Sequence, residues 1–222
     1  MVAATAVMTI GGRVLLRNND RTRVLPGSTL KPLVAVCLLE QKAAAPVRCS
    51  GQLMIGGRNL RCTHPRPSGA VDLGTAIAWS CNEYFAVAAL RVQPRQLAVT
   101  LRRLSLDVRT PQTPEQLQRL ALGNWGIQCL ALDLGFAYRR LAIEAPARVR
   151  EALREAAIRG TAQLARPPQQ EICGKTGTGE FALFAGWSPA EDPKTIVSVI
   201  TPGGRGAIDA APVARTLFER FS

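Results

Sequence analysis

The chain has 222 residues, 47% hydrophobic and 20% charged. That is an ordinary globular composition, long enough to bury a substantial core, and it excludes a disordered chain. The net charge of +12 would suit an anionic partner, but the arginines are scattered, no run of five or six like charges occurs and no aromatic residues are interleaved. With only Lys31, Lys42, Lys175 and Lys194 as lysines, the excess reads as Arg-for-Lys usage over the whole protein, and no nucleic-acid partner is expected.

The start, Met1 to Ile10, is apolar but has no basic region before it, so it reads as a strand and not as a signal peptide. Ala3 to Ile10 and Arg13 to Arg17 flank Gly11-Gly12, which predicts a tight hairpin. Pro26-Gly27 breaks the pattern. Ser28 then stands at a helix start, with Leu30, Leu33, Val34, Cys37 and Leu38 following at helical spacing. From Pro46 to Gly69 the chain is rich in Gly, Pro and Arg without helical period, which suggests loops and a small hairpin forming a lid or rim. Helical pattern resumes over Asp72 to Trp79 and Ala86 to Leu90, with Ser80-Cys81-Asn82 between them.

Gln96 to Ile158 reads as all-helical. Its apolar faces are Leu97, Leu101 and Leu104, then Leu130, Leu134, Tyr138 and Leu141, then Val149, Leu153 and Ala157, and Thr113-Pro-Glu-Gln116 forms a capping box with Pro at the first helical position. Strands return at Glu171 to Thr178, Phe181 to Trp187 and Thr195 to Thr201. A last amphipathic helix after Asp209 carries Val213, Leu217 and Phe221 on one face. No stretch of 18 or more apolar residues is present, so no membrane span or anchor is read in the chain.

Strands at both ends with helices between predict an α+β fold: one antiparallel sheet built from both termini, flanked by helices, with an inserted all-helical lobe. We expect a single domain over 1–222, its sheet lobe at about 1–27 and 168–222 and its helical lobe at about 28–167.

The six cysteines, Cys37, Cys49, Cys62, Cys81, Cys129 and Cys173, have no metal spacing. Cys49 and Cys62 flank the Gly51 to Asn59 segment and are expected close enough to bridge in an oxidising compartment; the other four read as small buried hydrophobes. A zinc site from Cys49, Cys62 and the only histidine, His64, lacks a fourth ligand, so no metal and no cofactor are expected.

Three short motifs carry chemistry: Ser28-Thr-Leu-Lys31, Ser80-Cys-Asn82 and Lys175-Thr-Gly-Thr178. Each alone is common; the three together, in this order, are specific. Serine needs a base within reach, and a lysine three residues on shares its helix face. Burial and a neighbouring cation, for which Lys175 is the candidate, would lower the Lys31 pKa enough for that role. Gly177 in a strand-edge sequence suggests close approach of a ligand, and alternation puts Thr176 and Thr178 on one side, where both can hydrogen-bond an anionic carboxylate.

The flanking residues sharpen the reading. Leu25-Pro-Gly-Ser-Thr-Leu-Lys-Pro32, Ser80-Cys-Asn-Glu-Tyr-Phe85 and Cys173-Gly-Lys-Thr-Gly-Thr-Gly-Glu180 resemble the transpeptidase domain of penicillin-binding proteins. So do Arg48-Cys-Ser-Gly51 through Arg61-Cys-Thr-His64, Leu120-Ala-Leu-Gly123 through Ala142, and Phe184-Ala-Gly-Trp-Ser-Pro189; the resemblance covers nearly the whole chain.

The resemblance implies a cleft between sheet and helical lobe with Ser28 as nucleophile and Lys31 as base. It also implies Ser80 as proton relay, Asn82 as holder of a substrate peptide bond, Lys175, Thr176 and Thr178 at the substrate carboxylate, and the N–H groups of Ser28 and Thr178 as oxyanion hole. Cys81 falls on the motif's variable middle position. The implied activity is D,D-transpeptidation of peptidoglycan stem peptides at the extracytoplasmic face of the membrane or in the periplasm, with β-lactams as ligands and cell-wall synthesis proteins as partners.

A D,D-carboxypeptidase or β-lactamase shares the acylation chemistry, but no Glu-x-x-x-Asn of the class A kind occurs in the helical region, where Glu144 is followed by Ala-Pro-Ala-Arg. A non-catalytic penicillin-binding sensor or scaffold is the third reading. The shortness of the chain, without pedestal or transglycosylase part, favours it, and the intact motifs oppose it.

Overall fold

The structure, a computed structural model, describes residues 3–19, 21–65 and 69–221. Among these a five-stranded antiparallel sheet has the order β2-β1-β9-β8-β7, with β1 (Ala4–Thr9) and β2 (Val14–Asn18) from the start of the chain and β7 (Cys173–Gly177), β8 (Phe181–Ser188) and β9 (Thr195–Pro202) from its end. β1 pairs with β9 from Ala4↔Ile200 to Thr9↔Thr195, which joins the two termini into one sheet as the sequence predicted.

Alternation along the strands divides the interior in two. Ala4, Ala6 and Met8 of β1, Leu183, Ala185 and Trp187 of β8 and Ile196 and Ile200 of β9 enter the larger core. Val7, Ala182, Phe184, Val197 and Val199 point the other way, onto Ala214, Leu217 and Phe218 of the final helix α8 (Ala211–Phe221).

The larger core surrounds α1 (Lys31–Glu40), every residue of which from Lys31 to Leu38 is buried; a helix apolar nearly all round is a central one. Packed in the same core are α2 (Leu73–Ala78), α3 (Asn82–Ala89), α4 (Pro94–Arg103) and α5 (Pro114–Ala121). The last two helices before the C-terminal strands are α6 (Ala131–Glu144) and α7 (Ala147–Ile158). α6 reaches back onto the sheet, where Ser198 Oγ of β9 donates to Ala131 O (2.6 Å). A Cβ on Gly135 would lie 2.7 Å from Met8 Cε.

The Gln96 to Ile158 region is not helical throughout. Between α4 and α5 and between α5 and α6 the chain runs through turns and loops, with isolated bridges Val108↔Ile127 and Val24↔Cys129. The Thr113 cap forms, with Thr113 Oγ1 accepting from Gln116 N (3.2 Å), but Gln116 Oε1 accepts from Gln112 N (2.8 Å), one residue beyond the expected partner.

The rim holds two minimal ladders, β3 (Val47–Arg48) with β6 (Ala70–Val71) and β4 (Met54–Ile55) with β5 (Arg58–Asn59). No helix among the described residues is long and apolar enough to cross a membrane.

Candidate active site

Ser28 is half-buried in one turn of 3-10 helix, Gly27–Leu30, which runs directly into α1 so that Lys31 is the first α-helical residue. Polar contacts fix this turn from several sides. Gly27 N donates to Gly123 O (3.0 Å), Thr29 Oγ1 to Pro26 O (2.7 Å), and the buried Tyr138 hydroxyl of α6 to Thr29 O (2.8 Å). Gly123 has φ +70°, and a Cβ there would lie 2.2 Å from Gly27 O, so conformation and close approach both require glycine.

β7 lies against the same turn. The Cβ position at Gly177 is 3.0 Å from Pro26 O and 3.1 Å from Thr29 Cγ2. The glycine therefore seats the strand on the protein's own turn. On the other side Gly206 packs on the strand, its Cβ position 2.2 Å from Gly177 O.

Lys31 is fully buried and donates to three acceptors: Ser80 O (2.8 Å), Ser80 Oγ (3.1 Å) and Asn82 Oδ1 (2.5 Å). The Ser28 hydroxyl is not among them, as is common before a substrate arrives. Burial lowers the Lys31 pKa to about 7, against an upward pull from Cys81 and Cys62. Lys175, also fully buried, donates to Thr176 O (3.0 Å) and Thr161 Oγ1 (3.4 Å) and lies well below the usual lysine range, first through burial and then through the Lys31 charge.

That reverses one expectation. Burial is the largest cause lowering Lys31, and the repulsion between the two lysines falls on Lys175, so burial and not a Lys175 cation tunes Lys31.

The two threonines of the third motif separate. Thr176 is buried and donates to Thr161 Oγ1 (2.8 Å), while Thr178, just past the strand, is exposed and accepts from Gly206 N (3.3 Å). Thr178 also stands beside the nucleophile turn, its carbonyl oxygen 3.6 Å from the Cβ position of Gly27.

On the opposite side of Lys31, Ser80 has φ +61°, a left-handed conformation uncommon outside glycine. Asn82 spends its amide inside the protein, accepting from Lys31 and donating through Nδ2 to Leu60 O (2.9 Å) and Arg61 O (3.3 Å) of the rim. Glu83 fastens the same rim, accepting from Ser50 N (2.8 Å) and Gly51 N (3.1 Å).

Cys81 caps α3, its sulfur accepting from Tyr84 N (3.4 Å). Cys49 and Cys62 do lie close on the rim, with sulfurs 3.7 Å apart and not bonded, but Cys81 makes a third with them. The four donors Cys49 Sγ, Cys62 Sγ, Cys81 Sγ and His64 Nε2 fall within 4.8 Å of one another. Cys81 thus stands as a fourth possible donor beside Cys49, Cys62 and His64, which the sequence spacing did not offer, and Cys37, Cys129 and Cys173 lie apart from this group as buried thiols. Within the trio the Cys62 pKa is held down to about 5, chiefly by the hydrogen bond from Cys81, while Cys81 is pushed up and burial raises Cys49 to about 11.

Sequence reasoning missed Thr161, Tyr138 and Gly123. Gly123 stood in a noted segment and, as a lone glycine after a helix, was the one with a signal.

An antiparallel sheet whose edge strand carries a buried lysine, set against a helix that opens with serine and lysine, defines the class of penicillin-interacting serine–lysine domains. The family model "Penicillin binding protein transpeptidase domain" matches residues 11–143 and 137–219, so the chain belongs to that family and is of penicillin-binding, transpeptidase type.

Solved structures agree in fold. Pseudomonas aeruginosa PBP2, in complex with WCK 5153, superposes at TM-score 0.85 with 20% identity over 99% of this chain and 73% of that one. The D,D-transpeptidase domain of a peptidoglycan glycosyltransferase from Eggerthella lenta gives 0.82, 18%, 98% and 76%, and that of FtsI4 from Legionella pneumophila 0.76, 21%, 99% and 89%. No curated protein matches the chain by sequence.

Proposed function

We propose that residues 1–222 act as one D,D-transpeptidase domain that carries peptidoglycan stem peptides on Ser28. The observation that carries this reading is Lys31: a fully buried lysine with its pKa lowered to about 7, one turn from Ser28 and hydrogen-bonded to Ser80 and Asn82.

In the proposed cycle Lys31 Nζ takes the Ser28 hydroxyl proton as Oγ attacks the carbonyl carbon of the penultimate D-Ala. The N–H groups of Ser28 and Thr178 hold the resulting oxyanion, a contribution of about 3–4 kcal/mol for one such donor. Collapse breaks the C–N bond, and the departing D-Ala amine receives its proton from Lys31 through Ser80. An amine of a neighbouring strand then attacks the acyl-serine, and the same groups run in reverse. Lys175, Thr176, Gly177 and Thr178 line the side where the terminal carboxylate binds, and an arriving carboxylate would raise the lowered Lys175 pKa and favour its charged form.

Asn82 serves Lys31 in this reading more than the substrate, because both ends of its amide are already engaged. A β-lactam acylates the same serine but keeps its own amine tethered, so the adduct should persist. The reading places the chain on the extracytoplasmic side of the membrane, among cell-wall synthesis proteins.

The test is incubation with a fluorescent penicillin, followed by peptide mapping and mass spectrometry over hours. A lasting adduct on Ser28 is expected; a modified serine elsewhere, or rapid turnover of penicillin to free enzyme, would overturn the reading in favour of another site or of a β-lactamase.

A further inference from the structure

We propose that Cys49, Cys62, Cys81 and His64 form a tetrahedral site for one structural zinc ion, which ties the rim to the Ser80-Cys81-Asn82 turn. The inference goes beyond the acyl-transfer reading and stands on different residues.

The distances carry it. A zinc ion with Zn–S bonds of about 2.3 Å and a Zn–N bond of about 2.0–2.1 Å in a tetrahedron sets S···S edges of about 3.8 Å and S···N edges of about 3.5–3.6 Å. The three sulfurs form a nearly equilateral triangle of 3.7, 3.7 and 3.6 Å, and Cys49 Sγ lies 3.6 Å from His64 Nε2. A disulfide would bring one pair to about 2.05 Å and leave the third sulfur without a role. Three equal separations fit a shared ion at the centre and do not fit a bonded pair.

The surroundings suit thiolates and a neutral imidazole. His64 Nδ1 is 2.7 Å from Pro65 O, and because a carbonyl only accepts, Nδ1 carries the proton and the Nε2 lone pair faces the sulfurs. The first turn of α3 aims N–H groups at two of the sulfurs, Glu83 N at Cys62 and Tyr84 N at Cys81, each at 3.4 Å. Three thiolates on one Zn²⁺ leave a single negative charge, which those N–H groups meet. Binding forms three Zn–S bonds and one Zn–N bond and releases to solvent the protons the thiols carried. Soft sulfur donors with one imidazole in a closed tetrahedron select zinc over the hard cations.

The site has a purpose in the fold. The rim between β3 and β6 has ladders of two residues and little apolar core of its own, yet Asn82, which holds Lys31, also depends on Leu60 O and Arg61 O from that rim. Cys81 precedes Asn82, so an ion bound there is a positioning element for Asn82 and, through it, for Lys31.

Elemental analysis of the reduced full chain should find one zinc per protein, and replacement by cobalt should give the visible absorption of a tetrahedral cobalt thiolate. Cys62→Ser and His64→Ala should each weaken zinc binding by about 100-fold or more, whereas Cys37→Ser, in the α1 core, should not. These readouts do not involve Ser28, so they hold or fail apart from the acyl-transfer reading. The cobalt spectrum needs no variant and keeps the test valid if a variant does not fold.

Chelation should slow labelling by a fluorescent penicillin about tenfold, and added zinc should restore it. A native protein lighter by two hydrogen atoms through a disulfide among Cys49, Cys62 and Cys81, or a reduced chain that binds no zinc, would overturn the site. Zinc whose removal leaves labelling unchanged would overturn its positioning role.

Discussion

The two sides of the Lys31 environment are built by different physics. On the sheet side, Lys175 and Gly177 belong to a strand paired along its length with β8 and pressed against the nucleophile turn and Gly206. On the rim side, Ser80 and Asn82 stand on a short turn held by hydrogen bonds to Lys31, Leu60 and Arg61 and by the three-sulfur cluster. One wall is positioned by packing and the other by a few polar tethers. Damage to the first should therefore appear as lost stability, and damage to the second as lost rate in a folded protein.

Four experiments press on that difference. The largest effect lies between the walls: Ser28→Ala should abolish covalent penicillin labelling, and Lys31→Ala should slow it about 10³-fold, both read by stopped-time fluorescence on gels. Native-rate labelling of Lys31→Ala would reduce the lysine to a helix-packing residue.

Next is Gly206→Ala on the sheet wall. Its Cβ would meet backbone oxygens of Gly177 and Leu183 at 2.2 and 2.7 Å, neither of which can swing aside. We expect a loss of about 3 kcal/mol in denaturant unfolding, with labelling failing only as the protein melts.

Asn82→Ala tests the rim wall. Labelling should slow about 10- to 100-fold, less than the loss of the base itself, with the melting temperature nearly unchanged. A large drop in melting temperature with normal labelling below the melt would erase the proposed contrast.

The smallest effect is on pH. With the Lys31 pKa at about 7 in the folded protein and 10.5 as its ordinary value, labelling should rise through pH 7 and level off above it. Between about pH 7 and 10.5 the unfolded chain holds a proton on Lys31 that the folded one lacks. Stability from this group thus rises with pH across that window and is absent below it. Lys31→Met should flatten that slope in unfolding experiments at several pH values.

Much of this was readable in the chain. Gly11-Gly12 marked the hairpin, Pro26-Gly27-Ser28 the start of the helical part, and the alternating strands after Pro168 the rest of the sheet, because each signal is local. The motif residues Ser80 and Asn82 were also legible, and the structure brings both to Lys31.

What stayed hidden depends on contacts between distant segments. Cys81 is 32 residues from Cys49, and nothing in the spacing joins it to the rim cysteines until α3 and the rim are folded together. Thr161 follows a helix end with no signal at all, yet it receives the Thr176 hydroxyl. The direction of help between the two lysines was misjudged because burial, which sequence does not measure, outweighs their mutual repulsion.

The left-handed backbone of Ser80 has a consequence for anyone who selects variants of this protein. Glycine is at ease at φ +61°, where serine carries a steric penalty of about 1 kcal/mol. A library of variants sorted only by heat resistance should therefore enrich Ser80→Gly, a change that discards the hydroxyl 3.1 Å from Lys31 Nζ. Screens for robustness and screens for penicillin labelling would pull this one position in opposite directions, so a thermostable lineage of this fold should be checked there first.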